Sequence, residues 1–368
     1  MKNKKMIFLF FSFAIFLLSA LFSIIWIVDS LRLYHKPYFC KNEVFKNIRF
    51  SAAGIIKNYE FDSVILGTSM LENTSSKEAS YFLNSKFMNL STPASDFYER
   101  FLILNHTFKY KRLKKIIYSL DTDKMINISM GSSNYLEQFK FLYDDNKFND
   151  IRAYLNDRMI KKTFKQLVGR CKSNDIDRPA ATLNDPDENI GFGGFENWDK
   201  ITIKNQMEGF LKINDKNKQT KFDNDKFLKQ KEYINEYLLN FVKNNQNTEF
   251  IFVVPPYSRL KDALEIKYRY DNFLFIKEVL RYLVEQSQIY KNLKIYAWGD
   301  TDYPDNIANY KDLTHYSHEF NSQMLEYLRD GIGLLTPQNF DEYYTKFEQK
   351  SREFDLMPYY EKIKDLTE

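Results

Sequence analysis

The chain has 368 residues, with 53 Lys and Arg against 49 Asp and Glu for a formal charge of +4; 28% of it is charged and 44% hydrophobic. This is the composition of an ordinary globular chain, and its balance of charge excludes a nucleic-acid binder that works through a strongly basic surface. The charge alone says little else about partners.

The N-terminal end decides the compartment. Residues Ile7 to Val28 form an uncharged apolar run that, as a helix rising 1.5 Å per residue, reaches roughly 33 Å, about one bilayer core. A cleaved leader would have a shorter apolar stretch and a small-x-small cleavage site, and neither is evident. We read 1–5 as a cytoplasmic tail, held inside by the three lysines of MKNKK, and 6–28 as a transmembrane signal anchor. Residues 29–60 follow as a juxtamembrane linker and helix. Everything beyond the span is then expected outside the cytoplasmic membrane. In that space Cys40 and Cys171, the only two cysteines, could pair, but their spacing does not decide between a disulfide and two separate thiols.

From residue 61 the pattern changes to short β-branched and aromatic runs separated by helical periodicity. Ser63–Leu66, Phe87–Leu90, Lys115–Leu120, Glu249–Val254 and Leu293–Ala297 read as five strands, near-continuously apolar as strands buried on both faces should be. Helices are expected over Leu71–Leu83, Asp96–Tyr110, Asp271–Gln288 and Ser317–Leu328. The fold class is therefore α/β, a three-layer sandwich around a mostly parallel five-stranded sheet, over 61–335. Residues 123–247 exceed what one crossover needs and read as a helical insertion. Its Tyr135–Leu167 part is amphipathic, and its 178–199 part, rich in Pro, Gly, Asp and Asn, is a loop. Gly191-Phe192-Gly193-Gly194-Phe195 in that loop either belongs to a lid or simply turns the chain. Residues 336–368 read as a C-terminal helical tail.

Two places carry chemistry. The first strand ends in Gly67-Thr68-Ser69-Met70, where a hydroxyl would lie at the carboxyl edge of a parallel sheet, the ligand edge of open α/β folds. Ser69 there is either a nucleophile, its amide at a helix start facing a developing oxyanion, or a plain helix N-cap. Far along the chain stands Asp312-Leu313-Thr314-His315. Of four histidines, His35 lies beside the membrane and His106 within a helix, which leaves His315 and His318 as bases. A carboxylate three residues before an imidazole on a turn can fix its tautomer; the same residues also fit a polar helix start capped by Ser317.

Taken together, the strand-ending GTS, the Asn89–Ser95 loop after the second strand and the terminal DLTH resemble the SGNH/GDSL hydrolase superfamily over 60–121 and 249–330. The resemblance implies a flavodoxin-like sandwich, a nucleophile at Ser69, an acid–base pair at Asp312 and His315, and an oxyanion hole of the Ser69 and Ala94 amides, with neither cofactor nor metal. The family's GDS stands here as GTS, its second-block glycine as Ala94, and Leu120-Asp121-Thr122-Asp123 lacks the asparagine many members carry. With its N-terminal anchor the chain looks most like the extracytoplasmic proteins of this superfamily that work beside membrane-bound O-acyltransferases, including the D-alanyl transfer type. The implied partners are that transferase and a polysaccharide or other acylated glycan. The expected activity is acyl-ester transfer or hydrolysis on a surface or secreted polysaccharide; the alternative is a catalytically inactive relative that binds glycans or serves envelope assembly.

Overall fold

The computed structural model describes residues 2–41, 47–130, 133–171, 191–211, 222–360 and 362. Its helices, in chain order, begin with α1 (Lys2–Val28), α2 (Ile48–Asn58), α3 (Ser69–Glu72), α4 (Ser76–Phe82) and α5 (Phe97–Tyr110). There follow α6 (Thr122–Ile126), α7 (Ser133–Leu136), α8 (Asp157–Leu167), α9 (Lys200–Leu211), α10 (Asn224–Ile234) and α11 (Asn240–Asn244). The last are α12 (Arg259–Tyr268), α13 (Tyr270–Ile289), α14 (His318–Asp330) and α15 (Phe340–Glu353). The strands are β1 (Ser63–Leu66), β2 (Phe87–Asn89), β3 (Lys115–Ser119), β4 (Glu249–Val254) and β5 (Leu293–Ala297).

The five strands form one sheet in the order β2-β1-β3-β4-β5, every pair parallel. The apolar runs explain why: side chains alternate faces along a strand, and both faces here are covered. Ile116, Tyr118, Phe250 and Phe252 point into one core with α2, α5, α10, α11, α13 and α15. Ile117, Ile251 and Val253 point into the other, with α4, α9, α12 and α14. The chain leaves β1 toward β2 on one side and then crosses back to β3, so the topological switch lies between β1 and β3. In doubly wound sheets that crevice, at the carboxyl ends of the strands, is where ligands bind.

Several expected boundaries move. The single helix over Leu71–Leu83 is two, because Ser75 caps α4 by accepting the Glu78 amide at 3.2 Å and Asn89 holds the carbonyls of Leu71 and Thr74 in the break. The Tyr135–Leu167 helix is fragmented: Asp144 and Asn146 turn the chain by accepting the amides of Asn146 and Phe148, as Asx residues do. Only its last stretch, α8, is a regular helix. The insertion also ends earlier than residue 247. From Asn224 to Asn244 the chain is one helical run with a π turn at Asn235–Leu239, and Ile234, Leu238 and Val242 sit in the first core; this is the β3–β4 crossover itself. Likewise the supposed C-terminal tail supplies α15, whose Phe340, Tyr343 and Tyr344 are buried in the same core. Of the expected 178–199 loop, residues 191–199 are described and residues 178–190 lie outside the described residues.

α1 is the one described helix long and apolar enough to cross a membrane. A third cluster gathers at its exit, where Ile25, Leu31 and Leu33 pack with Ala53, Phe139, Tyr154 and Met159. Asp29, fully buried, accepts the amides of Leu33, Tyr34 and His35 at 2.8–2.9 Å and the Tyr154 hydroxyl. The turn then lies flat on α2 at Gly54, where a Cβ would come within 2.8 Å of Leu33 Cα. Cys40 and Cys171 are joined in a disulfide, their Cα atoms 5.2 Å apart, which ties this turn to the chain after α8.

Candidate active site

The local sequence after β1 makes a sharp strand-to-helix turn. Gly67 is needed because a Cβ there would stand 2.7 Å from Ser119 Oγ. The N-cap of α3 is Thr68, not Ser69: the Thr68 hydroxyl accepts the Met70 amide and donates to Asp121 Oδ1 at 2.6 Å. Ser69 is thereby the first helical residue, its amide among those a helix start leaves without an intrahelical acceptor. Its hydroxyl points away from the cap.

That hydroxyl meets His315 Nε2 at 2.9 Å, and His315 Nδ1 meets Asp312 Oδ2 at 2.7 Å. The other Asp312 oxygen accepts the amides of Thr314 and His315 and the Thr314 hydroxyl, at 2.7, 2.9 and 2.9 Å. Burial by itself would raise the Asp312 carboxyl, but the hydrogen bond and charge of His315, with the His315 and Thr314 amides, outweigh it and hold the group well below the usual carboxylate range. Asp312 therefore stays an acceptor and fixes Nδ1 as the protonated ring nitrogen, leaving Nε2 to accept from Ser69.

The loop bearing the pair is itself pinned. Tyr310 and Tyr316 bridge across it, Ser258 donates to the Leu313 carbonyl at 2.7 Å, and the Tyr316 hydroxyl donates to the Met70 carbonyl at 2.9 Å. His318, one position into α14, faces Glu319 at 3.7 Å instead. It lines the same cavity but makes no link to Ser69.

The cavity over Ser69 and His315 has a volume of about 580 Å³. Asn73, Tyr135, Arg158, Phe192 and Lys311 are among its walls. Phe192 belongs to the glycine-rich segment, whose Gly191, Gly193 and Gly194 all have positive φ. Those glycines turn the chain, and the following Phe195 and Trp198 are buried in the second core, so that Phe192 stands as part of the wall of the site.

Ala94 is at φ +57°, the left-handed region that glycine tolerates best, so alanine stands in a glycine-type conformation. The structure does not bring it into the cavity with Ser69: Pro93 lines that cavity, and Ala94 faces a neighbouring one of about 370 Å³. Sequence reasoning missed what holds this loop. Arg49 of α2 donates to the Pro93 carbonyl at 2.7 Å while paired with Glu99 at 2.6 Å, and Ser95 donates to the Gly67 carbonyl at 3.2 Å.

Asp121, noted in the sequence only for not being asparagine, is the hub below the nucleophile. It is buried, accepts from Thr68 and Ser119 at 2.6 Å each, and lies 3.6 Å from the fully buried Arg100. The signal was present: two polar residues, Ser119 and Asp121, flanking the end of an otherwise apolar strand need buried partners. Among the described residues no cluster of His, Cys, Asp or Glu has the makings of a metal site. The chain matches no protein-family model and no curated protein.

Proposed function

We propose that this chain is an extracytoplasmic serine-dependent acyl-ester transferase or esterase of the SGNH/GDSL type, acting on a glycan through Ser69, His315 and Asp312. The observation that carries the proposal is the unbroken relay from Ser69 Oγ to His315 Nε2 and from Nδ1 to Asp312, at 2.9 and 2.7 Å, inside an open polar cavity at the switch point of the sheet. In this mechanism His315 takes the Ser69 proton as Oγ attacks the acyl carbonyl. The oxygen of the tetrahedral intermediate faces the amide of Ser69 at the start of α3; Ala94, which lines the neighbouring cavity, is not used as a second donor. His315 then gives its proton to the departing alcohol, leaving an acyl ester on Ser69. In the second half a sugar hydroxyl or water gives its proton to His315 and attacks the ester, and His315 returns that proton to Ser69 Oγ as it leaves, which restores the free serine. The cavity's Asn73, Tyr135, Arg158 and Lys311 offer the polar contacts a sugar acceptor needs, and the chemistry calls for no cofactor.

The anchor reading rests on α1 and gains support from two features. Ile25 and Val28 are each 1% exposed, so removal of α1 as a leader would strip part of a core. The Cys40–Cys171 disulfide suits an oxidising space outside the cytoplasm. A membrane-bound O-acyltransferase delivering acyl groups is the partner this placement favours.

The full-length protein incubated with an activated acetyl ester and an oligosaccharide should acquire an acetyl group on the Ser69 peptide, read by mass spectrometry, and pass it to sugar or water. An acetyl adduct elsewhere with full turnover in Ser69→Ala would transfer the chemistry to another residue. For topology, a reporter active only in the periplasm, fused after residue 368, should be active.

A further inference from the structure

Helix α8 has no role in the relay, yet it is the most cationic helix beside the anchor. Between Asp157 and Cys171 the chain carries Arg158, Lys161, Lys162, Lys165 and Arg170 against the single acid Asp157. Its inward face, Met159, Thr163 and Gln166 at helical spacing, is buried. Its outward face mixes charge with apolar surface: Phe164 is 43% and Val168 68% exposed, alternating with the exposed Lys161 and Lys165. Scattered apolar side chains on a soluble surface need no explanation. These sit somewhere particular.

α8 packs against α1. Met159 shares a cluster with Ile25, and Leu21 packs against that cluster; the Thr163 hydroxyl bonds the Ser30 hydroxyl at 3.1 Å, buried. The segment from Lys4 to Val28 has 25 residues and is about 37 Å long, against a hydrocarbon core of about 30 Å. Ile25 and Val28, in its last turns, are buried against the rest of the protein and not open to lipid, which puts those turns at the headgroup layer with α8 alongside them. On the uncovered side the same level is marked by Trp26, 53% exposed, with its carbonyl 2.6 Å from His35 Nε2 and the His35 ring against Tyr38. Aromatic side chains of this kind collect at membrane interfaces.

We infer that α8 is an interfacial helix, lying in the headgroup layer with Phe164 and Val168 against acyl chains and Lys161 and Lys165 on anionic lipid phosphates. A cationic amphipathic helix favours that position, and the disulfide from Cys40 to Cys171 just beyond α8 holds it there. Because Arg158 of α8 also lines the cavity over Ser69, one wall of the site is at the lipid surface, within reach of substrates carried in the membrane plane. The inference rests on α1 spanning the bilayer and not on the acyl-transfer chemistry.

The test uses the full chain in nanodiscs of equal parts phosphatidylcholine and phosphatidylglycerol. Single cysteines at Ile15→Cys, Phe164→Cys, Val168→Cys and Glu342→Cys carry a nitroxide, whose accessibility to oxygen and to an aqueous nickel chelate is measured. The inference predicts residue 15 deep in the hydrocarbon, residues 164 and 168 at shallow membrane depth, and residue 342, exposed on α15, in water. With 15 deep and 164 and 168 as nickel-accessible as 342, α8 stands off the membrane and the inference is overturned. With 15 itself in water, the anchor reading fails and takes the inference with it. Adding Lys161→Glu and Lys165→Glu to the residue 164 label should shift it toward the aqueous phase; an unchanged depth would overturn the lipid-phosphate contact.

Discussion

At the carboxyl edge of the sheet, Ser69 and His315 meet across 246 residues of sequence, each on a short tight turn that ends or precedes a regular element. Around the exit of α1, by contrast, the turn at Asp29–Leu33 is packed on Gly54 of α2 and bonded to Tyr154, and Cys40 just beyond it is tied to Cys171 after α8. The first region is held by the sheet, which fixes where every strand must end. The second has no sheet behind it and is held by a buried carboxylate collecting backbone amides, by packing on α2 and by a covalent link. Changes at the sheet edge should therefore cost chemistry more than stability, except at the hub beneath it. Changes at the anchor exit should cost stability and leave the relay intact.

The largest effect that sharpens this contrast is at the base. Replacing His315 with Ala removes the proton acceptor and should lower acyl-transfer turnover by about 10²–10⁴-fold in a protein of near wild-type stability, while His318→Ala keeps most of its activity. An equal loss in both variants would mean that the relay geometry is not what turns the substrate over.

The hub breaks the contrast deliberately, because it lies at the sheet edge yet is a buried ion pair. Arg100→Met leaves Asp121 without its cation and should destabilise the fold by about 3–5 kcal/mol, measured by denaturant unfolding of the detergent-solubilised chain. A loss below 1 kcal/mol would show that Thr68 and Ser119 alone satisfy the carboxylate.

On the anchor side, His106 of α5 packs against Tyr143 and Tyr110. Burial first, then the Lys57 and Lys109 cations, push it down to about 4. Between its ordinary value near 6.5 and 4 the unfolded chain takes up a proton that the fold refuses, so stability falls as pH falls through that window. His106→Phe should remove up to about 3 kcal/mol of that acid loss. Parallel stability–pH curves for the two proteins would contradict it.

The smallest effect is at Ala94. Its positive φ strains any residue with a Cβ, so Ala94→Gly should stabilise by less than about 1 kcal/mol, the relief being partly offset by the freer unfolded chain. A destabilisation would mean that the Ala94 methyl contributes packing that outweighs the strain.

How legible all this was in the sequence follows the same division. β1, β4 and β5 were readable to the residue, because strands buried on both faces are short apolar runs that turn signals bracket. Of the candidate relay residues, Ser69 was readable as a strand-end motif at the carboxyl edge of the sheet, and Asp312 with His315 from a three-residue spacing on the turn before α14. The fragmentation after Tyr135 was not, since Asx turns at Asp144 and Asn146 override an amphipathic pattern with local hydrogen bonds. Nor was the place of α10 and α11 in the core, since a crossover helix and an insertion helix have the same periodicity and differ only in what they pack on. The buried hub was half legible: Ser119 and Asp121 were visible, but their partners Thr68 and Arg100 come from elements whose facing sides only the fold determines.

The most direct measurement on the central claim is covalent labelling of the full-length protein by a serine-reactive fluorophosphonate, followed by intact-mass and peptide analysis. An activated Ser69 predicts one phosphonyl group per chain on the peptide containing Ser69, slower labelling in His315→Ala, and none at that peptide in Ser69→Ala. A folded wild-type protein that takes up no label, or takes it up equally well when Ser69 is alanine, would contradict the account.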